Sequence, residues 1–379
     1  MPPLSECMQR VTGTSDAVIL VQRTDGTLWA SAPSADYSRV AGPNGPLLAS
    51  DSAASGSSAE GSAVGCALSE GAVWCFALSE PLIDSAGLGA GLGGVASDSA
   101  QRVVTRDTPG APTLDDAAQL AGGTNAARAT FCAVAANGGV WCWGQALGGV
   151  LAQGNQDRAS YAKPALVDPN TALGLALEVR VGDASACART SDGSVWCWGS
   201  NASGELGRAV TGDSDASAYA VRVVLPLPAT RLSASPGLTH CAVLADSSVA
   251  CWGRNDFAQA GAPAAQGALP PTVVRRSEGG PVFEHVLDLA PDRGARAMCA
   301  NTEADGLWCW GDVPGGQDAG DAAAGSPYPQ LALKTPQGRI HVPLSAYGAQ
   351  NGKLIYVNPN GRLVLGAKSA PTTRQPPCP

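Results

Sequence analysis

The sequence predicts an all-β fold, a seven-bladed β-propeller whose ring is closed by joining the termini, in one domain spanning residues 1–379. Three observations predict it. A strand–turn–strand motif recurs seven times at a period of about 56 residues. Ten of the twelve cysteines flank its turns in five pairs. The two left over, Cys7 and Cys378, lie at opposite ends of the chain.

Aligned on an Asp-Gly-Ser-Val-Trp-Cys core, the copies place hairpin cores near 18–30, 66–75, 132–142, 187–197, 241–251, 299–309 and 353–365. "CARTSDGSVWC" (187–197) is the clearest, and "CAVAANGGVWC" (132–142) and "CAVLADSSVAC" (241–251) repeat its plan. A repeat of this size is one supersecondary unit per copy, and neighbouring copies bury what each cannot bury alone.

Alternating strands around Ser-Asp-Gly, Ala-Asn-Gly or Thr-Asp-Gly read as β-hairpins with three-residue loops, in which glycine supplies a positive φ. Cys187 and Cys197 are symmetric about Asp192, so they face each other across the hairpin. In Cys66–Cys75 the spacing is one shorter and the turn shrinks to Glu70-Gly71, which keeps the cysteines opposed. We therefore read Cys66/Cys75, Cys132/Cys142, Cys187/Cys197, Cys241/Cys251 and Cys299/Cys309 as disulfides stapling each hairpin. Free buried thiols and metal ligation are the alternatives, but zinc sites favour cysteines only two to four residues apart. Each staple closes a short loop and is expected to contribute somewhat under ~3 kcal/mol.

The end copies lack cysteines. Leu20 and Ala30 occupy the stapled positions in the first, Ile355 and Leu365 in the last. If Cys7 pairs with Cys378, the chain's ends meet, as a propeller requires; an open solenoid would separate them and need polar caps. A lipid-anchored Cys7 is the alternative, but Glu6 before it suits a lipobox badly.

Composition agrees with short strands and turns. Glycine (47) and proline (28) are abundant, 45% of residues are hydrophobic and only 15% are charged. The net charge of −8 argues against a nucleic-acid backbone as partner, and Arg275-Arg276 is the one basic doublet. No apolar stretch is long enough for a membrane span. The first residues, "MPPLSECMQR", lack the apolar core of a signal peptide, so a mature or trimmed chain is expected.

The repeat resembles the regulator of chromosome condensation family, in bacterial members of which a His-Thr-Cys-Ala opening leads to Cys-Trp-Gly and Gly-Gln-Leu-Gly. Thr239-His240-Cys241-Ala242 opens one copy; Trp198-Gly199-Ser200-Asn201 through Gly204-Glu205-Leu206-Gly207 closes another. Trp252-Gly253-Arg254-Asn255 closes a third, and Trp143-Gly144 and Trp310-Gly311 repeat the Trp-Gly step. The resemblance implies four-stranded blades around a central channel. It departs at 76–131, read as a long loop insertion. The family includes a nuclear exchange factor, a secreted enzyme inhibitor and interaction modules, so it implies no single function.

No catalytic, cofactor or metal constellation is expected. His240, His285 and His341 are isolated. Gly89, Gly91 and Gly94 satisfy G-x-G-x-x-G without the flanking strand and helix, and read as loop. "DSDASA" from Asp213 mimics a calcium loop but lacks its glycine, and Val224 stands where the glutamate belongs. Asn201-Ala202-Ser203 is a glycosylation sequon only in a host that glycosylates. Trp141/Trp143, Trp196/Trp198 and Trp308/Trp310 share one side of their strands, where they pack between blades or serve as exposed anchors. Variation concentrates in 31–65, 76–131, 200–230, 254–285 and 312–340, where loops gather on the two faces. The expected role is a secreted, periplasmic or cell-surface scaffold, monomeric and without cofactor, binding another protein through one face. A glycan-binding or glycan-cleaving channel and a structural surface array are the alternatives. Mass mapping of unreduced peptides should return the five neighbouring pairs plus Cys7–Cys378; bridges between non-neighbouring copies, or thiols that alkylate freely, would refute this reading.

Overall fold

The computed structural model describes residues 8–13, 19–31, 38–56, 63–78, 86–91, 100–123, 129–212, 215–234, 238–291, 296–303, 306–312, 325–333, 348–350, 353–357 and 363–366. Cys7, Cys378, His341, Gly94 and Asp213 lie outside them.

The described strands form successive antiparallel meanders. The first holds β1 (Met8–Gly13), β2 (Ile19–Arg23), β3 (Leu28–Ser31) and β4 (Ser38–Arg39), followed by a small ribbon of β5 (Ala41–Gly42) and β6 (Gly45–Pro46). The second holds β7 (Asp51–Ser55), β8 (Val64–Ser69), β9 (Ala72–Ala77) and β10 (Gln101–Arg102). The third holds β11 (Ala117–Gly122), β12 (Thr130–Ala135), β13 (Val140–Gly144) and β14 (Ala159–Pro164), followed by the ribbon β15 (Leu166–Asp168) and β16 (Thr171–Ala172). The fourth holds β17 (Ala176–Val181), β18 (Ser185–Thr190), β19 (Val195–Ser200) and β20 (Ala216–Val223). The fifth holds β21 (Ala229–Ala234), β22 (Thr239–Leu244), β23 (Val249–Asn255) and β24 (Ala265–Val273). The sixth holds β25 (Val286–Pro291), β26 (Ala297–Thr302), β27 (Gly306–Gly311) and β28 (Ser326–Leu333). The seventh holds β29 (Gly348–Gln350), β30 (Lys353–Val357) and β31 (Leu363–Gly366).

The first strands of the first six sheets pack in succession: β1 on β7, β7 on β11, β11 on β17, β17 on β21 and β21 on β25. The second strands are buried along their whole length in β12, β22 and β26. A strand buried on both faces reads as near-continuous small apolar residues, as in "TFCAVA" and "AMCANT". Alanine and cysteine keep the sheets thin enough to stack.

The sequence repeats are the second and third strands of each sheet. Cys187 stands opposite Cys197, Cys132 opposite Cys142, Cys241 opposite Cys251 and Cys299 opposite Cys309. Cys66 stands opposite Cys75 across the two-residue turn Glu70-Gly71, both at positive φ (51° and 83°). All five pairs have sulfurs at disulfide distance, with Cα–Cα 4.0–4.1 Å. The apolar substitutes are in the same register: Leu20 opposite Ala30 and Ile355 opposite Leu365.

The three-residue loops close as Thr190 N–H to Ser194 O and Gly193 N–H to Thr190 O, with Gly193 at φ 79°. Asp192 completes the loop by accepting from the Thr190 hydroxyl and the Ser194 N–H. Ser247 takes the left-handed place at φ 64° in the fifth sheet.

The stretch 76–131 is not one long loop. It contains the end of β9, a short 3₁₀ turn at Ala86–Leu88, the outer strand β10 and the inner strand β11. The segments 200–230, 254–285 and 312–340 likewise carry β20, β24 and β28. These outer strands tolerate proline and glycine because one edge faces away from the ladder, as "AQGALPPTV" in β24 illustrates.

Replacing Ser247 by glycine should stabilise the fold by about 0.5–1 kcal/mol, read by chemical denaturation, because it relieves a left-handed non-glycine residue. Gly199→Ala should cost more than ~2 kcal/mol: φ is +99° and a Cβ would stand 2.3 Å from the Ala184 carbonyl oxygen.

Candidate functional site

Two regions concentrate specific geometry: the seams between sheets and the end of the sheets where the hairpin turns gather. Four seams, from that between the second and third sheets to that between the fifth and sixth, are filled by the tryptophan of a Trp-Gly step. Trp143, Trp198, Trp252 and Trp310 are fully buried. The Trp198 indole donates to the Val150 carbonyl at 2.7 Å, Trp252 to Glu205 O at 2.9 Å and Trp310 to Gln259 O at 2.9 Å. In every case the acceptor belongs to the connection of the preceding sheet. Trp143 packs on Gly89 of that same connection, where a Cβ would meet its ring at 2.9 Å. Gly89 and Gly91 therefore make a packing loop, not a phosphate cradle, and Gly91 N–H donates to Ser160 O.

The first tryptophans behave differently. Trp29, Trp74, Trp141, Trp196 and Trp308 are only half-buried. Arg23 and Arg39 lie over Trp29, Arg102 over Trp74 and Arg276 over Trp308. The basic doublet is thus used internally: Arg276 stacks on Phe283 and Trp308, and Arg275 donates to Gly280 O.

Asn201 is fully buried. Its amide donates to Asp215 Oδ2 at 2.8 Å and its oxygen accepts from Leu206 N–H, so the sequon organises the connection and is closed to a glycan. Asn255 repeats the arrangement with Ala260. Asp215, the described end of the calcium-like stretch, has both oxygens engaged by Arg208, at 2.6 and 2.7 Å. That guanidinium, with Asn201, holds its carboxyl well below the usual carboxylate range. Burial pushes Glu205 upward, against hydrogen bonds from Ser203 and Ser200.

The inner strands expose edges that need partners. Side chains supply them across the seams. Asp51 accepts from Leu120 N–H at 3.0 Å, Gln119 both accepts from Val179 N–H and donates to its carbonyl, and Glu178 accepts from Leu232 N–H. Glu178 is held by Arg180 at 2.8 Å and Arg189 at 3.3 Å. Arg231 takes the equivalent place in β21 and has no acceptor, so Leu289 N–H is served by its neighbour Asp288.

The inner strands begin beside the hairpin turns. Ala176 N–H donates to Gly138 O, Ala229 to Gly193 O and Val286 to Ser247 O. Immediately after, each inner strand slips one residue in register: between Ala117 and Gln119, Ala176 and Glu178, Ala229 and Arg231, Val286 and Asp288. Such a bulge turns the skipped side chain out of the ladder. The skipped residues are Ala118, Leu177, Thr230 and Leu287. Leu177 is 55% exposed and Leu287 45%. Leu175, at φ 58°, is 69% exposed, and Leu227 40%. Sequence reading did not single out these leucines; the cue was the Leu-x-Leu at 175–177 where an inner strand starts.

Asp192 and Asp246 ring this mouth. The Thr190 hydroxyl, with Ser194, lowers Asp192 to about 2, and Ser248 lowers Asp246. Stability from these carboxylates is present above their ordinary values near 3.8 and is lost as pH falls toward the folded-state values.

Sheets stacked in sequence, inner strand to inner strand, define a β-propeller. The model of the Regulator of chromosome condensation (RCC1) repeat matches residues 178–205, which run from Glu178 of β17 to Glu205 under the next sheet's tryptophan. Among curated proteins, the chain is similar to E3 ubiquitin-protein ligase HERC2 of Mus musculus and Homo sapiens, 28% identical over 198 residues. That alignment spans 51% of this chain and 4% of the length of these relatives. Among solved structures it is similar to Prp20p from Saccharomyces cerevisiae, at a TM-score of 0.61 and 16% identity over 84% of this chain and 75% of that one. Human WBSCR16 gives a TM-score of 0.59 at 14% identity over 87% and 83%.

The two tryptophans of a pair should respond unequally to substitution. Trp198→Phe leaves the Val150 carbonyl without its donor and should cost about 1–3 kcal/mol in denaturant melts. Trp196→Phe, half-buried, should cost under ~1 kcal/mol. Equal losses would contradict the assignment of the second indole to the seam.

Proposed function

We propose that this chain is a secreted or cell-surface, non-enzymatic scaffold that holds another protein against the hairpin-turn mouth of the propeller. The observation that carries this reading is the set of outward-turned leucines at that mouth: Leu175, Leu177, Leu227 and Leu287. Exposed apolar side chains grouped at one end of a rigid ring are the pattern of a macromolecular contact. A strained, solvent-facing Leu175 fits the same role, since left-handed non-glycine residues concentrate at functional surfaces. The structural relatives point the same way: Prp20p was studied for binding to Gsp1p and histones, and yeast RCC1 (Prp20) was solved with Kap60 bound.

The domain is proposed as a monomeric, seven-bladed closed ring. Support comes from β1 lying against β30, which brings the first sheet to the last. The five opposed cysteine pairs support oxidised staples and an oxidising compartment, with Cys7–Cys378 as the closing bond. A glycan platform is less well supported, because arginines already cover the faces of Trp29, Trp74 and Trp308.

Cross-linking of the oxidised protein in its native milieu should capture a protein partner. The double variant Leu177→Asp, Leu287→Asp should reduce that capture at least tenfold while moving the thermal midpoint little, as exposed positions do. Undiminished capture would place the contact elsewhere, and small-molecule turnover without any macromolecular partner would refute the scaffold reading.

A further inference from the structure

One buried titratable side chain takes no part in the mouth. His240, on β22 of the fifth sheet, is 1% exposed. Its Nε2 is 2.8 Å from Ser185 Oγ, on β18 of the fourth sheet, so this hydrogen bond crosses the seam. The ring stacks on Trp252 at 6.0 Å. Trp252 is the indole that ties the same two sheets by donating to Glu205 O. Nδ1 is buried without a hydrogen-bond partner. A neutral imidazole can use Nε2 alone; an imidazolium carries two donors and would leave Nδ1–H unsatisfied in the buried seam.

We propose that His240 makes the seam between the fourth and fifth blades acid-labile: taking up a proton breaks the packing that holds these blades together. The equivalent residues elsewhere do not titrate. Phe131 stacks on Trp143 at 5.8 Å in the third sheet, and Met298 lies opposite Trp310 in the sixth. Gly65 and Ala186 fill the place in the second and fourth.

Among the described residues, the elements around His240 offer no compensating charge. Its cross-strand neighbours are Ala234 on β21 and Trp252 on β23. Arg180 of β17 is engaged by Glu178 and the Leu232 carbonyl, Arg254 of β23 by Asp256, and Glu205 of the preceding connection by Ser200 and Ser203. Burial alone therefore acts on the ring and lowers its pKa from 6.5 to about 4.

The unfolded chain gains the proton as pH drops through 6.5, and the folded chain gains it only near 4. Stability from the neutral ring is thus complete above 6.5 and is lost as pH falls between these values. Glu205 acts with the opposite sign, since its raised pKa lets the folded state take a proton first. The mouth aspartates act lower, below about 3.8.

The test is unfolding followed at pH 7 and pH 4.5. In the wild type the folded-to-unfolded ratio should fall on the order of 100-fold from this group over that range. His240→Phe with Ser185→Ala, copying the third blade's stack, and His240→Met, copying the sixth, should each lose most of that fall. Ser185→Ala alone should keep it. Ring titration of the folded wild type by NMR, with the signal assigned through its loss in a His240 variant or by isotope labelling, should show His240 neutral down to about pH 4. A fall that persists in both His240 variants, or a folded-state titration near 6.5, would overturn the proposal.

Discussion

Face-to-face stacking of thin sheets is the constraint on which this structure depends. A sheet buried on both faces has no room for large side chains in its middle, so the second strands are written in alanine, cysteine and valine. Such a core is apolar but shallow, and dispersion over flat surfaces fixes no particular offset between sheets. The buried indole supplies the missing specificity. Trp198, Trp252 and Trp310 each reach the preceding connection and bond one carbonyl there. Because the donor and the acceptor come from consecutive repeats, the same bond sets blade spacing and blade register.

The glycine after each of these tryptophans follows from the same demand. Gly144, Gly199, Gly253 and Gly311 all have φ between 91° and 102°, and a Cβ on any of them would run into a carbonyl of the second strand's leading end. The chain turns there to leave the sheet and pass beneath the next blade. The opposed cysteines belong to the strand interior, where Leu20–Ala30 and Ile355–Leu365 fill the same register without sulfur. The register thus holds with or without sulfur, because the turn and the strand pairing already set the hairpin's geometry.

The hairpins were legible because their signals are local: period-two alternation, an Asp-Gly or Asn-Gly turn, and paired cysteines whose spacing follows turn length. The first and fourth strands of each blade were not. An inner strand such as "DSAAS" (51–55) reads as loop because its stabilising partners are on another blade, as with Asp51 and Leu120 N–H. An outer strand such as β24 reads as loop because its prolines are tolerated only at an edge. Asn201 shows the converse error, a motif whose letters suggest an exposed acceptor while its burial and bonds make it a connector. The tryptophan pairs needed three dimensions, since alternation puts both on one side and only the Trp-Gly turn carries the second beneath its neighbour.

The described sheets are therefore regular in their backbone and irregular in what fills their seams. Amide, carboxylate and guanidinium occupy one equivalent inner position in turn, at Gln119, Glu178 and Arg231, and only the first two can accept from the following strand. The same sector holds the histidine that crosses from β22 to β18 and the leucines thrown outward at the starts of β17 and β25. Uniform seams would give a uniformly stiff platform. The histidine contact and the apolar mouth nevertheless stand at opposite ends of the strands: His240 pairs with Ala234 at the close of β21, whereas Ala229, at its start, pairs with Leu244 beside the hairpin turn.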